Sequence, residues 1–182
     1  MTTTTPALAD PEIAAAIFAD HVVRAEASDL ARNHEWVFSR LDPLHVVVRV
    51  RPAGPSADGS HYFVRLGADY YDQYPPTTLF VCPPLDPGVP AGWLPAGPGS
   101  RWLPAMVGLP WFAIHDEYQY ADGVKRQLVC CSMTFEYYVT GHAPTPGQRW
   151  RQGRHTLVAT LTRIQEALDG ATYQGNARAV HP

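Results

Sequence analysis

Hydrophobic positions change period twice along the chain. From Pro11 to Arg32 it is Ala-rich, with Ile13, Ile17, Phe18 and Leu30 on an apolar side and Arg24, Glu26 and Arg32 on a polar one. Asp10-Pro11-Glu12 opens this stretch as helices open, with an N-cap, a proline at the first helical position and an acid in the first turn. One helix over 11–32, ending near Asn33, follows. The period then shortens. Trp36-Val37-Phe38, His45 to Arg51, His61 to Leu66 and Leu79 to Cys82 are short runs of β-branched and aromatic residues. Asp42-Pro43 and the Gly, Pro, Ser and Asp of 52–60 break the first three apart. Short loops between such runs predict a four-stranded antiparallel meander. Helical spacing returns after Arg154 with Leu157, Val158, Leu161, Ile164 and Leu168, closed by Gly170.

Between these patterned blocks the signal is weaker. Tyr70 to Phe80 holds the paired prolines Pro75 and Pro76, which fix a rigid lead into the fourth strand. Pro83 to Pro110 is rich in Pro and Gly and too long for an ordinary loop. It reads as a packed irregular insertion or a mobile flap, and Trp93 and Trp102 favour packing. Trp111 to Cys131 is an irregular cysteine-bearing segment, Thr134 to Tyr138 extends a strand, and Thr140 to Gly147 is a turn-rich loop. The chain from Ala171 reads as tail. Strands and helices are segregated, so the fold class is α+β. The boundaries are a flexible tail at 1–9, a single domain at 10–175 with the insertion at 83–110, and a tail at 176–182.

Composition narrows the function classes. The 182 residues, 46% hydrophobic and 17% charged, suit one globular domain rather than a disordered chain. A net charge of −3 without a basic stripe gives no footprint for nucleic acid. Three cysteines, two of them adjacent, make no disulfide framework. The Thr-rich start lacks a basic region before an apolar run, and no apolar stretch approaches the roughly 20 residues of a membrane helix. The expectation is a cytoplasmic protein with reduced thiols and no membrane partner. Lys125 is the only lysine, which a GC-rich genome accounts for; an enzyme holding an activated acyl group would also self-modify less with few lysines, and Lys125 would then be its automodification site.

The chemistry centres on Gln127-Leu128-Val129-Cys130-Cys131-Ser132. In an extended segment neighbouring side chains point opposite ways, so one thiol faces the core and the other faces out. The buried one is a small hydrophobe; the exposed one is a candidate nucleophile. Cys82 ends a strand and reads as core. The eight histidines are scattered, with no metal-ligand spacing, and no glycine loop cradles phosphate. No metal and no cofactor is expected.

The order of these features resembles the ubiquitin-conjugating enzyme family, in a divergent bacterial form, over about residues 11–175. Tyr74-Pro75-Pro76-Thr77-Thr78-Leu79-Phe80 is similar to a shortened form of the family's Tyr-Pro-x-x-Pro-Pro turn into the fourth strand. Ile114-His115-Asp116-Glu117 occupies the place of its His-Pro-Asn motif, and Leu128-Val129-Cys130 matches its apolar pair before the active cysteine. Trp150 and the helix from Thr156 to Leu168 follow, as a tryptophan and an amphipathic helix do in the family. The Pro and Asn of the motif are replaced by Asp116 and Glu117, and the chain's two asparagines, Asn33 and Asn176, lie far from the cysteines in sequence.

The resemblance implies a ubiquitin-conjugating-enzyme-like fold and a carrier that takes a ubiquitin-like modifier as a thioester from a ThiF-like activating enzyme. It then passes the modifier to a target amine, in a pathway that can include a JAB-type peptidase and serve phage defence. Cys130 would be the nucleophile, with Cys131 the other candidate and core-facing if Cys130 is correct. His115 would fix the loop or donate to the oxyanion, for which backbone N–H groups, His142 and Thr140 are further candidates. Asp116 or Glu117 could orient or deprotonate the amine. Two other classes stay open: an inactive relative that binds a modifier, favoured by the missing Asn, and a thiol hydrolase pairing Cys130 with His142 or His155.

Overall fold

Asp10 opens the first helix as its sequence predicts. In a computed structural model that describes residues 6–54, 57–85 and 92–177, its carboxylate accepts from the amides of Glu12 and Ile13 at 3.0 and 3.1 Å. The helix, α1, runs Pro11–Glu26, and not to residue 32. Ser28 accepts from Ala31 N–H at 3.1 Å and starts a second helix, α2, Asp29–Asn33. The predicted apolar side is also rotated. Ile13 is 61% exposed, and the buried stripe is Ala14, Phe18, Val22 and Ala25, whose small members let the helix lie close on the sheet.

The meander forms in the predicted order, with β1 at Val37–Asp42, β2 at His45–Val50, β3 at Tyr62–Gly67 and β4 at Thr77–Cys82. Asp42 tightens the first turn by accepting from Leu44 N–H at 2.8 Å. All neighbours are antiparallel, and Val48 stands opposite Val64, which stands opposite Phe80. With a period of 2, Val46, Val48, Val50, Tyr62, Val64, Leu66 and Phe80 face the core, where Phe18 and Val22 of α1 meet them. The same core takes Leu157, Leu161, Ile164 and Leu168 from a helix at Leu157–Asp169, the fourth in the chain, capped by Thr156.

The insertion is built into this frame where it is described. Residues Leu94–Pro95 form β5 and extend the sheet to five strands, in the order β1-β2-β3-β4-β5. Trp93 and Trp102 lie against Phe63, with ring centroids 5.1 and 5.4 Å away, on the face opposite the helices. Residues 86–91 of the expected insertion, 1–5 of the first tail and 178–182 of the last lie outside the described residues. Three expectations are corrected. The cysteine-bearing segment is a regular hairpin, β7 at Ala113–Gln119 and β8 at Lys125–Cys130. Thr134 to Tyr138 is not strand, because Thr134 turns the chain into a helix, α3, at Phe135–Val139, which makes the Leu157–Asp169 helix α4. The chain after Ala171 is not all tail, because β9 at Tyr173–Asn176 pairs with β6 at Pro104–Met106. Among the described residues, four helices and a five-stranded antiparallel sheet make the fold α+β. Among the described residues no helix is long and apolar enough to cross a membrane.

Candidate cysteine site

The hairpin is held to the sheet by one side chain. Gln127 accepts from Phe80 N–H at 2.6 Å and donates to the carbonyls of Phe80 and Ala96 at 3.1 and 2.8 Å. It thus gives Phe80 N–H and the Ala96 carbonyl a partner and adds a second donor to the Phe80 carbonyl, which also accepts from Ala96 N–H at 2.9 Å. This fixes β8 beside β4, and Cys130 is the last residue of β8, paired with Ala113. Thr134 holds the turn that follows: its hydroxyl lies 2.6 Å from the carbonyl of Val129 and 2.8 Å from that of Cys131.

One thiol is sealed in the core and the other is not, but Cys131 lies past the end of β8, so the turn after the strand parts them. Cys131 is 1% exposed, and burial pushes its thiol up to about 12, which leaves it inert at neutral pH. Cys130 is half-buried, and burial raises its thiol above the ordinary range as well. Nucleophilic use of Cys130 therefore needs a base to take its proton.

His142 stands in that position, with Nε2 3.6 Å from Cys130 Sγ. Its tautomer follows from the next partner. The Thr140 hydroxyl has one proton, which it donates to the Glu136 carbonyl at 2.8 Å. Its lone pairs then accept from His142 Nδ1–H at 2.9 Å. Nδ1 carries the proton, and Nε2 turns a free lone pair to the thiol, as a general base requires. Tyr137 stacks on the imidazole with centroids 4.7 Å apart and fixes the ring plane. Glu136 and Tyr137 lie on α3, Thr140 is its C-cap, and His142 follows two residues later.

Cys130, His142 and His115 line one pocket of about 270 Å³, together with Trp111, Ser132 and Arg163. His115 sits on β7 opposite Leu128, exposed, with its ring 5.7 Å from that of Tyr118. Other candidates are not brought in. His155 accepts from Arg151 N–H at 2.9 Å and packs on Trp150. Asp116 and Glu117 are exposed on β7, and Glu117 pairs with Lys125 at 3.5 Å. Asn33 ends α2 and Asn176 ends β9, so neither asparagine lines the pocket. Among the described residues no cluster of three or more His, Cys, Asp or Glu could hold a metal ion.

Of the two partners expected for Cys130, His142 and His155, the structure brings His142 to the thiol, and the relay through Thr140 to the Glu136 carbonyl needs the helical turn of α3, where a strand is expected from sequence. Two residues were missed. Arg163 reaches the pocket from α4, with its guanidinium 5.3 Å over the Trp111 ring. Glu136 is buried beneath α3, and an acid inside the aromatic run Phe135 to Tyr138 was the available signal. Comparison with family models, curated proteins and solved structures finds no match to the chain.

Proposed function

We propose that the protein is a cysteine-dependent acyl carrier of the ubiquitin-conjugating type. It accepts a ubiquitin-like modifier as a thioester from a ThiF-like activating enzyme and passes it to a target amine, in a cytoplasmic bacterial pathway of the kind that includes JAB-type peptidases and phage defence. The observation that carries the reading is the Cys130–His142 pair: a half-buried thiol, 3.6 Å from an oriented imidazole nitrogen, beside a second thiol sealed in the core. The element order supports it, with a leading helix, a meander entered through Tyr74-Pro75-Pro76, a histidine before the cysteine, and Trp150 ahead of the last helix.

In the first step Cys130 S–H gives its proton to His142 Nε2 as the sulfur attacks the thioester carbonyl. The tetrahedral intermediate collapses by expelling the partner's thiolate, which takes the proton back. In the second step the target amine attacks the new thioester, His142 takes the amine's proton, and Cys130 leaves as thiolate and is reprotonated. The Asn used elsewhere for the oxyanion has no counterpart in the pocket, so backbone N–H groups and His115 fill that role. The oriented Nε2 also favours a second reading: it can activate water against a thioester, making the protein a thiol hydrolase.

A charging assay tests both. The protein is incubated with ATP, the activating enzyme and the modifier encoded beside its gene, and resolved without reductant. A reductant-sensitive adduct lost in Cys130→Ala and kept in Cys131→Ala supports the carrier. An adduct that decays to free modifier faster than an added amine can trap it supports the hydrolase. No adduct with an active cognate pair sinks both and leaves a binding module.

A further inference from the structure

A hollow of about 330 Å³ lies apart from the one that holds Cys130. It opens between α3, β4 and the tip of the β7–β8 hairpin. Its walls are mostly apolar, from Leu79, Phe135, Val139 and the faces of Tyr70 and Tyr120. Glu136 also lines it, though the residue is only 8% exposed. A carboxylate can accept about four hydrogen bonds. Here two amides serve it: Thr78 N–H, which reaches both oxygens at 3.0 and 3.2 Å, and the N–H of Glu136 itself, so part of its capacity stays unused.

The surrounding charges do not complete it. Arg65 of β3 acts on Glu136 through space but makes no hydrogen bond to it among the described contacts. At the mouth, Arg126 is bound to Asp122 and lies over the Tyr120 ring at 4.3 Å, so its charge is already matched. Tyr120 feels the Glu136 charge but donates its hydroxyl to the carbonyl of Gln127 at 3.2 Å. A deep carboxyl short of donors, at the side of an apolar slot, is half of an ion pair with the other half supplied from outside.

We propose that this slot binds a primary alkylammonium group, with Glu136 as counter-ion and the apolar walls covering the alkyl chain. The class includes small aliphatic amines and the lysine side chain of a partner. The inference is independent of the role of Cys130. Burial holds the Glu136 carboxyl protonated up to about 8, so at neutral pH an arriving ammonium ion displaces that proton to solvent.

The test uses n-pentylammonium chloride and 1-pentanol, titrated separately into the full-length ¹⁵N-labelled protein at pH 7. The expected result is saturable shifts of the Thr78 and Glu136 amides with the amine, and binding of the alcohol roughly ten- to hundredfold weaker. Calorimetry of the unaltered protein in two buffers of different ionisation enthalpy should read release of roughly one proton per amine bound. Glu136→Gln should lower amine affinity to that of the alcohol. Equal affinity for the two probes, absence of proton release, amine binding that survives Glu136→Gln, or no shift at these amides with either probe would each overturn the proposal.

Discussion

Replacing Glu136 with glutamine should make the protein more stable, but only at high pH. Glutamine has the same shape, and its carbonyl can keep the bond from Thr78 N–H. What disappears is the cost of ionising a buried acid. The folded carboxyl titrates at about 8 against 4.5 for an exposed one, with burial as the main cause. Below pH 4.5 it is protonated in both states and its contribution to stability is fully present. Between 4.5 and 8 the unfolded chain loses the proton and the folded chain keeps it, so stability falls as pH rises. Above 8 both states are ionised and the loss is complete. At about 1.4 kcal/mol per pH unit, that interval is worth ~5 kcal/mol, comparable to the whole stability of a small domain. The carboxylates of Asp42 and Asp58, held low by hydrogen bonds despite partial burial, lose stability in the opposite direction as pH falls, but they are common to both proteins and cancel in the difference. Urea denaturation followed by tryptophan fluorescence at pH 5, 7 and 9 measures it. The two proteins should agree to about 1 kcal/mol at pH 5 and diverge by several kcal/mol at pH 9 in favour of glutamine. A difference that stays constant over that range refutes the buried-acid argument.

Four further outcomes are expected. Iodoacetamide should label Cys130 in the folded protein and Cys131 only after unfolding, as read by peptide mass spectrometry, and the Cys130 rate should still be rising past pH 9 because burial raises that thiol. His142→Asn should slow thioester formation on Cys130 by about a hundredfold with the melting temperature unchanged within error, and Thr140→Val by roughly tenfold through the lost tautomer control, with a loss of about 1 kcal/mol of stability from its bond to the Glu136 carbonyl, in single-turnover charging and thermal melts. Asp72→Ala leaves Gln152 Nε2 and Gly153 N–H without their acceptor, at 3.0 and 3.1 Å in the native protein, and should cost about 2–4 kcal/mol by denaturation. Lys125 lies five strand residues from Cys130, about 16 Å along β8, so its modification by a charged Cys130 should scale with protein concentration, as transfer between copies does.

The parts of the fold that were legible from sequence are those with a strong period. The valines of β2 and the leucines of α4 repeat at 2 and near 3.6, and both elements fall where their residues place them. The β7–β8 hairpin was not read because its outer strand, Ala113 to Gln119, is mostly exposed and so carries little hydrophobic alternation. Its turn did carry a signal: Asp122-Gly123, with the glycine at φ 80°, is the kind of dipeptide that closes hairpins. The single long helix failed on a cap, since Ser28 competes for a backbone amide that a continuous helix would use. At the site, the expectation of one buried and one outward thiol matches the burial of Cys131 and Cys130, but the turn beyond β8 and not strand alternation produces it. Choosing His142 over His155 as the partner of Cys130 is beyond local pattern, because it depends on α3 and the loop after it folding the chain back to the thiol over 12 residues without periodicity.

The chain between α3 and α4 is fastened at both feet. At one end Thr140 hangs from the Glu136 carbonyl; at the other Trp150 N–H donates to Tyr138 at 2.8 Å, and its indole donates to the Asp72 carbonyl at 2.8 Å. Residues Thr145 to Arg149 in between are exposed. The loop is therefore closed by its anchors rather than by its own length, and lengthening a closed loop costs only about 0.6 kcal/mol per doubling. Gln148 lines the Cys130 pocket, so length and sequence are free to drift at 145–147 and not across the whole span, and a reporter peptide spliced in there would watch the site from its rim.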